Sequence, residues 1–188
     1  MSDPAGAAPQ SYNELNSILR RTREDCAEVH LLYTAIGRAI VALSEVELEL
    51  CLLFMVCRLP QNTETTGKFI AAQRQISEKI KVLNLVIEVT RSHEECLQWQ
   101  ELKKRIEHNK DIRNRLAHEG IEIVGVEGGP IEAVLSASPL GKAKAQLNED
   151  DINAAADALE ELKKDISDFA WRLGKRDYDD AQDSPYDD

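Results

Sequence analysis

The stretch AEVHLLYTAIGRAIVALSEVELELCLLFMVCRL, residues 27–59, decides the fold because its apolar residues return at the spacing of an α-helix. Steps of three and four residues place them on one face of a helix with about 3.6 residues per turn. Pro60 follows the stretch and cannot continue a helix. The stretch therefore predicts a long amphipathic helix whose buried face carries Val29, Leu32, Ile36, Ile40, Leu43, Leu50, Phe54 and Cys57.

Further helices are predicted on both sides of this stretch. Residues 11–23 begin with the spacing of a capping box, which predicts a short helix. Residues 67–90 and 94–118 each repeat apolar side chains on one helical face. Asn148 is followed by acidic residues and would cap a last long helix. Across these helices, the shared spacing predicts that seven side chains are buried together: Leu43, Phe54, Ile76, Leu83, Ile106, Leu159 and Ile166.

The hydrophobic period changes between the third and the last long helix. Two short apolar runs, 121–126 and 131–135, flank a Gly-Gly-Pro turn, and a weaker run covers 142–147. This pattern predicts a small β-hairpin or three-stranded flap over 121–147. Short connections between the long helices favour neighbours that alternate in direction. The expected fold class is mainly all-α, an antiparallel up-and-down helical bundle with a β-hairpin insertion before the last helix.

The length of 188 residues is that of one domain with a substantial core. Residues 1–10 lack an apolar period and are expected to be disordered, and residues 11–175 are expected to form a single bundle domain. Residues 176–188 hold six Asp and one Arg. Such a charge run is typical of a solvated segment, so a disordered acidic tail is expected there.

Composition excludes several classes of protein. With 23 Lys plus Arg against 34 Asp plus Glu and a net charge of −11, bulk charge does not favour coating nucleic acid. Aromatic residues make up 5%, too few for a base-stacking platform. No apolar run approaches the roughly 18 residues of a membrane span, and the N-terminus lacks a secretory pattern. A soluble cytoplasmic protein without membrane contact is expected.

Metal and cofactor motifs are absent from the sequence. The four cysteines have no CxxC spacing, which argues against a zinc cluster or a disulfide framework. No P-loop, GxGxxG or HExxH spacing occurs either. We expect no metal site and no cofactor.

Two charged residues interrupt apolar faces. Arg113 and Asn109 fall within the arc of the third helix that carries Trp99 and Ile106, at about 100° per residue. Glu47 falls on the apolar stripe of the first long helix. An unpaired buried guanidinium is costly, so Arg113 must be paired or must face a cleft or a subunit interface. A Glu47–Arg113 pair and an arginine free for substrate are both consistent with this position, and the two roles are compatible.

The end of the third helix carries the side chains that are candidates for catalysis. Asp111, Asn114, Arg115 and His118 follow at i, i+3, i+4 and i+7, so they share a flank. A histidine can move protons and an arginine can hold a phosphate, although a histidine at a helix C-terminus also serves as a simple cap. The surrounding cations predict an RNA-binding surface, or only a solvated basic face: Lys103, Lys104, Lys110 and Arg115.

The segment from Asp111 to Gly120, with Arg113-Asn114-x-x-x-His118 at its centre, resembles the signature of the HEPN superfamily. The resemblance implies a helical bundle that dimerises and brings two copies of the motif together. It further implies metal-independent RNA cleavage, in which His118 is the acid and base and Arg113 stabilises the phosphorane, with Asn114 as the polar residue of the motif. Glu47, Asn109 and Asp111 would support these groups.

Several functions stay open at this point. The first is a HEPN-like endoribonuclease, related to toxins or to defence, with RNA as substrate and a cognate antitoxin or other protein as a candidate partner. The second is a non-catalytic homodimeric module that binds a nucleotide or a protein through the same surface. The third is a structural adaptor, for which the Arg113 and His118 pattern would be coincidence.

Overall fold

The computed structural model describes residues 27–57, 75–125, 131–136 and 145–182. In chain order these residues form helices α1 (Ala27–Cys57), α2 (Ile76–Thr90) and α3 (His93–His118), strands β1 (Gly120–Gly125) and β2 (Ile131–Ser136), and helix α4 (Glu149–Gln182). The expected mainly α-helical fold with a hairpin before the last helix is confirmed. The segments predicted at 1–10 and 11–23 lie outside the described residues.

Ion pairs along the helices set their relative directions. Arg38 of α1 pairs with Asp157 of α4 at 2.5 Å, and Glu45, two turns later, pairs with Lys163 at 3.1 Å, so α1 and α4 run parallel. α3 runs opposite to α4, because Arg105 contacts Asp165 at 2.5 Å while the start of α3 lies beside the far end of α4.

α2 also runs parallel to α1. Lys79 near its start contacts Glu47, and Arg91 just after its end donates to the carbonyl oxygen of Val56 at 3.3 Å. The expected alternation of direction therefore holds for α2, α3 and α4 but is wrong for α1 and α2. The expectation assumed short connections, whereas 18 residues, 58–75, separate α1 from α2.

The core consists of two clusters. The larger one joins α1, α2, α3 and α4, and the smaller one joins the first half of α1 to the hairpin and the start of α4. All seven side chains predicted for burial are buried, so that prediction is confirmed. Ile40 is an exception to the α1 stripe, since it is 47% exposed.

The hairpin is an antiparallel pair in which Ile121 faces Leu135. The weak third strand is reduced, among the described residues, to a single bridge between Leu135 and Leu147. Asn148 then caps α4, because its side-chain oxygen accepts the backbone N–H of Asp151 at 2.9 Å.

α4 continues to Gln182, so the expected disordered tail does not begin at Arg176. The physical reason is a set of ion pairs. Arg176 contacts Glu95 at the start of α3, and Asp177 contacts Arg91 at 2.6 Å. These contacts hold the acidic end of α4 against the bundle. Residues 183–188 lie outside the described part. No helix in the described ranges is long and apolar enough to cross a membrane.

Candidate functional site

The predicted site lies at the end of α3, beyond the reach of α2. Trp99, Leu102 and Ile106 are buried on one arc, and Arg113 continues that arc but is exposed. Asn84 of α2 accepts hydrogen bonds from Gln100 at 3.0 Å and from Lys103 at 3.4 Å.

Because α2 and α3 are antiparallel, the position of Asn84 fixes where α2 stops along α3. Ile76, the first residue of α2, lies eight residues before Asn84 and is therefore level with about residues 108–111 of α3. Arg113 lies past that level, so α2 does not cover it. Arg113 lies on the same arc of α3 as Ile106, but α2 does not extend as far as the level of Arg113.

The predicted Glu47–Arg113 pair is wrong. Glu47 instead contacts Lys79 of α2 at 2.7 Å, and the two side chains are only 24% and 10% exposed. Lys79 is the reachable cation because α2 packs against the side of α1 that carries Glu47. The physical argument that a charge on an apolar stripe needs a partner holds, but the partner is on a different helix.

Replacing Glu47 by alanine should lower the free energy of unfolding by about 2–4 kcal/mol, because it leaves the ammonium of Lys79 buried without its partner. The matched control is Glu45→Ala. Its partner Lys163 is more than a third exposed, so a loss of less than about 1 kcal/mol is expected. Urea unfolding of both variants measures the difference, and equal losses would contradict the role of the Glu47–Lys79 pair.

Arg113, Asn114 and His118 are all exposed in the last two turns of α3. Arg113 differs from the other arginines that the structure describes, since it alone among them makes no hydrogen bond, ion pair or ring contact. Arg172 lies over the ring of Phe169 at 5.9 Å. The others contact carboxylates, namely Arg38, Arg91, Arg105, Arg115 and Arg176. The guanidinium of Arg113 is therefore available to a phosphate or to a partner.

Three of the cations predicted to bind RNA make contacts within the chain. Arg115 donates to both carboxylate oxygens of Glu119, at 2.9 and 2.8 Å, and to the carbonyl oxygen of Ala145 at 2.5 Å. These bonds tie the end of α3 to the chain before α4. Lys104 pairs with Glu101 at 2.6 Å. Lys103 contacts α2, and the side chain of Lys110 lies outside the described part.

Asn109 and Asp111 line a groove of about 640 Å³ between α3 and α4, together with Lys104, Arg115 and alanines of α4. The side-chain amide of Asn109 donates to the carbonyl oxygen of Arg105 at 2.9 Å. Asn114, His118 and Arg113 do not line this groove. Two of the predicted supporting residues, Asn109 and Asp111, therefore line the groove beside α4, whereas the three residues of the motif lie outside that groove.

Metal-binding chemistry finds no support among the residues that the structure describes, since no group of three His, Cys, Asp or Glu side chains is placed to hold an ion there. Cys51, Cys57 and Cys96 are free thiols. Burial raises the pKa of the Cys57 thiol. Cys26 lies outside the described residues.

Sequence reasoning missed a charged cluster at the opposite end of the bundle. The side chain of Arg91 is only 4% exposed and contacts Asp177 and the carbonyl oxygen of Val56. Arg176 contacts both Asp177 and Glu95, so two arginines and two carboxylates form one network. Burial alone would raise the pKa of Asp177, but hydrogen bonds from Arg91 and Arg176 outweigh it and lower that pKa.

The pKa of Glu95 is lowered in the same way as that of Asp177. Burial acts to raise its pKa, and hydrogen bonds from Arg176 and Ser92 lower it below the usual range for a glutamate. Ser92 and Glu95 also form the capping box that begins α3.

Comparisons of the chain with protein-family models, with curated proteins and with solved structures give no match, so the case for function rests on the geometry described above.

Proposed function

We propose that this chain is a HEPN-like endoribonuclease that cleaves RNA without a metal, through Arg113, Asn114 and His118. The observation that carries the proposal is the availability of the motif. All three side chains are exposed on the end of one helix, and Arg113 is unpaired in a protein whose other described arginines are engaged. A surface arginine without a carboxylate suits the recognition of an anion from outside the chain.

The proposed reaction is an intramolecular transesterification at a phosphodiester of RNA. The imidazole of His118 takes the proton from a ribose 2′-OH, and the 2′ oxygen forms a bond to the neighbouring phosphorus. The bond from phosphorus to the 5′ oxygen then breaks, and a histidine in its protonated form returns a proton to that oxygen. The guanidinium of Arg113 stabilises the charge that develops on the phosphoryl oxygens. The products are a 2′,3′-cyclic phosphate and a 5′-hydroxyl.

One copy of the motif is spread around its helix. His118 follows Arg113 by five positions, which corresponds to about 140° of rotation and about 7.5 Å of rise. A phosphate held by Arg113 therefore lies on a different side of α3 from the imidazole of the same chain. A second copy of the chain would supply a second histidine and a second arginine, so the proposal includes a homodimer.

A non-catalytic binding module is the second candidate, and one observation favours it. Arg115 and Lys104, two of the predicted RNA-binding cations, are engaged by Glu119 and Glu101. Fewer cations are then left to hold a polyanion. Under this alternative the exposed end of α3 docks a nucleotide or a protein, such as an antitoxin, without cleaving anything.

Incubation of the purified protein with mixed RNA, with and without a chelator, distinguishes the two candidates. The nuclease proposal expects fragments that end in a 2′,3′-cyclic phosphate, at the same rate in both conditions. If RNA stays intact throughout while the protein retards it or a nucleotide in a binding assay, the binding module is the better description. Cleavage that stops on addition of chelator would contradict the metal-independent mechanism.

A further inference from the structure

α2 leaves part of one side of α1 uncovered. Ile40 precedes Glu47 by seven residues, or two turns, so both lie on the same side of α1. Glu47 contacts Lys79 of α2 at 2.7 Å, so this is the side on which α2 packs. α2 begins at Ile76, three residues before Lys79, which is short of the level of Ile40. The side chain of Ile40 is 47% exposed.

The same side of α1 carries an exposed aromatic ring. Tyr33 precedes Ile40 by a further seven residues and is 58% exposed. Between these two residues, Ile36 is partly buried against the smaller core cluster, and Leu116 of α3 packs against that cluster as well. The end of α3 therefore lies beside the part of α1 that carries Tyr33.

The level of Arg113 along the bundle follows from contacts across α4. Arg105 contacts Asp165, and Arg38 contacts Asp157, which precedes Asp165 by about two turns. Arg113 follows Arg105 by the same number of residues, and α3 runs opposite to α4. Arg113 is therefore level with about Arg38.

Contacts across α2 give nearly the same level. Lys79 is level with Glu47, and Asn84 accepts a hydrogen bond from Gln100 at 3.0 Å. Counting forward along α2 and then along α3 places Arg113 level with about residue 39 of α1. Both routes thus place Arg113 beside the uncovered part of α1.

Tyr33, Ile40 and Arg113 form one surface, here named the open surface. Arg113 follows Ile106 by two turns, so it keeps the side of α3 that packs into the bundle further along the helix. An apolar protein segment that docked on the open surface would bury the guanidinium of Arg113 without a counter-charge, which is costly. A nucleotide brings both a ring for Tyr33 and a phosphate for Arg113.

We infer that Tyr33 stacks on an unpaired nucleobase of the RNA whose phosphate Arg113 holds. Unpaired bases stack on aromatic side chains, and an arginine fork matches the oxygens of a phosphate. Tyr33 lies five to six residues from the level of Arg113, or about 7.5–9 Å along the bundle. Two or three nucleotides span that separation at the spacing of about 3.4 Å along a strand.

The inference deepens the proposed function and rests on it for the phosphate at Arg113. Binding and cleavage are separate measurements, because a 2′-O-methyl RNA lacks the hydroxyl that attacks phosphorus and therefore binds without being cleaved. A chain that binds this RNA through Tyr33 but leaves ordinary RNA intact would contradict the nuclease alone. A chain that cleaves ordinary RNA equally well without the Tyr33 ring would contradict this inference alone.

Fluorescence anisotropy with a labelled, single-stranded 2′-O-methyl RNA of mixed sequence tests the inference. Tyr33→Ala should raise the dissociation constant by about 5–150-fold, which is the loss expected for one stacked base. Tyr33→Phe keeps the ring and should bind as the wild type does. A duplex of the same sequence should not distinguish Tyr33→Ala from the wild type, because its bases are paired and cannot reach the ring.

The matched control is Tyr178→Ala. Tyr178 is 64% exposed on α4, at the opposite end of the bundle, so its removal should leave binding unchanged. Tyr33 is mostly exposed, so the melting temperature of Tyr33→Ala should match that of the wild type. An unchanged dissociation constant for Tyr33→Ala would overturn the inference. So would an equal loss from Tyr33→Phe or from Tyr178→Ala, or a wild type that does not bind the single strand.

Discussion

Replacing His118 by alanine is expected to abolish RNA cleavage while leaving the melting temperature unchanged. Removal of a general acid and base costs about 10²–10⁴-fold in rate. The imidazole is exposed and makes no hydrogen bond or ion pair with any described residue, so the fold has little to lose. Cleavage rates on one labelled RNA, together with thermal unfolding, measure both effects.

His108 provides the matched control for this variant. It is also exposed on α3, but it lines the groove between α3 and α4, on the side away from Arg113. His108→Ala should keep the rate of the wild type. Equal losses from the two histidines would indicate a general effect of α3, and full activity of His118→Ala would remove His118 from the mechanism.

Arg113→Ala should lower the rate by about 10²–10³-fold, which is typical of losing one group that stabilises developing charge. Glu47 is held by Lys79 rather than by Arg113, so no carboxylate is left unpaired and stability should be unchanged. Arg113→Lys keeps the charge but loses the planar fork of donors, so only part of the activity should return. An unfolded Arg113→Ala variant would show that Arg113 is a structural cation.

The helical period predicted most of the core correctly. The period shows which face of a helix is apolar, and neighbouring helices cover that face along most of its length. It failed at two positions, for different reasons. Ile40 lies on the predicted stripe of α1 but is exposed, because the buried face passes through Ala39, Leu43 and Val46 instead. Arg113 lies on the arc of Ile106 but extends past the start of α2. The level at which an adjacent helix begins depends on the tertiary structure, so the helical period does not predict it.

The partner of Glu47 had a signal in the sequence that was not used. Lys79 lies between Ile76, Ile80 and Leu83, on the apolar face of its own helix. Two opposite charges on two apolar faces predict a pair as well as Glu47 and Arg113 do. Spacing alone does not choose between Lys79 and Arg113, because the choice depends on which helix lies beside α1.

The prediction of a disordered acidic tail from residue 176 failed for a different reason. Composition sums the charges of residues 176–188, and such a sum predicts repulsion and a solvated segment. Arg176 and Asp177 instead find partners about 80 residues earlier in the chain. Only the folded bundle brings those partners near.

Replacing Arg91 by methionine should lower the free energy of unfolding by about 3–5 kcal/mol, because it leaves the carboxylate of Asp177 partly buried without its main partner. The side chain of Arg91 is 4% exposed and also donates to the carbonyl oxygen of Val56. The control is Arg38→Met. Its ion pairs with Asp157 and Glu160 are exposed, so a loss of less than about 1 kcal/mol is expected.

The pH dependence of unfolding tests the same network independently. The pKa values of Asp177 and Glu95 are lowered in the folded protein, so the stability they contribute is present above their unfolded values of about 4. It is lost as the pH falls through their folded values. Arg91→Met removes the hydrogen bond that does most to lower the pKa of Asp177. The difference in unfolding free energy between this variant and the wild type should therefore shrink in acid. A difference that stays constant from neutral pH to acid, or a loss no greater than that of Arg38→Met, would show that the network does not hold the end of α4 to the bundle.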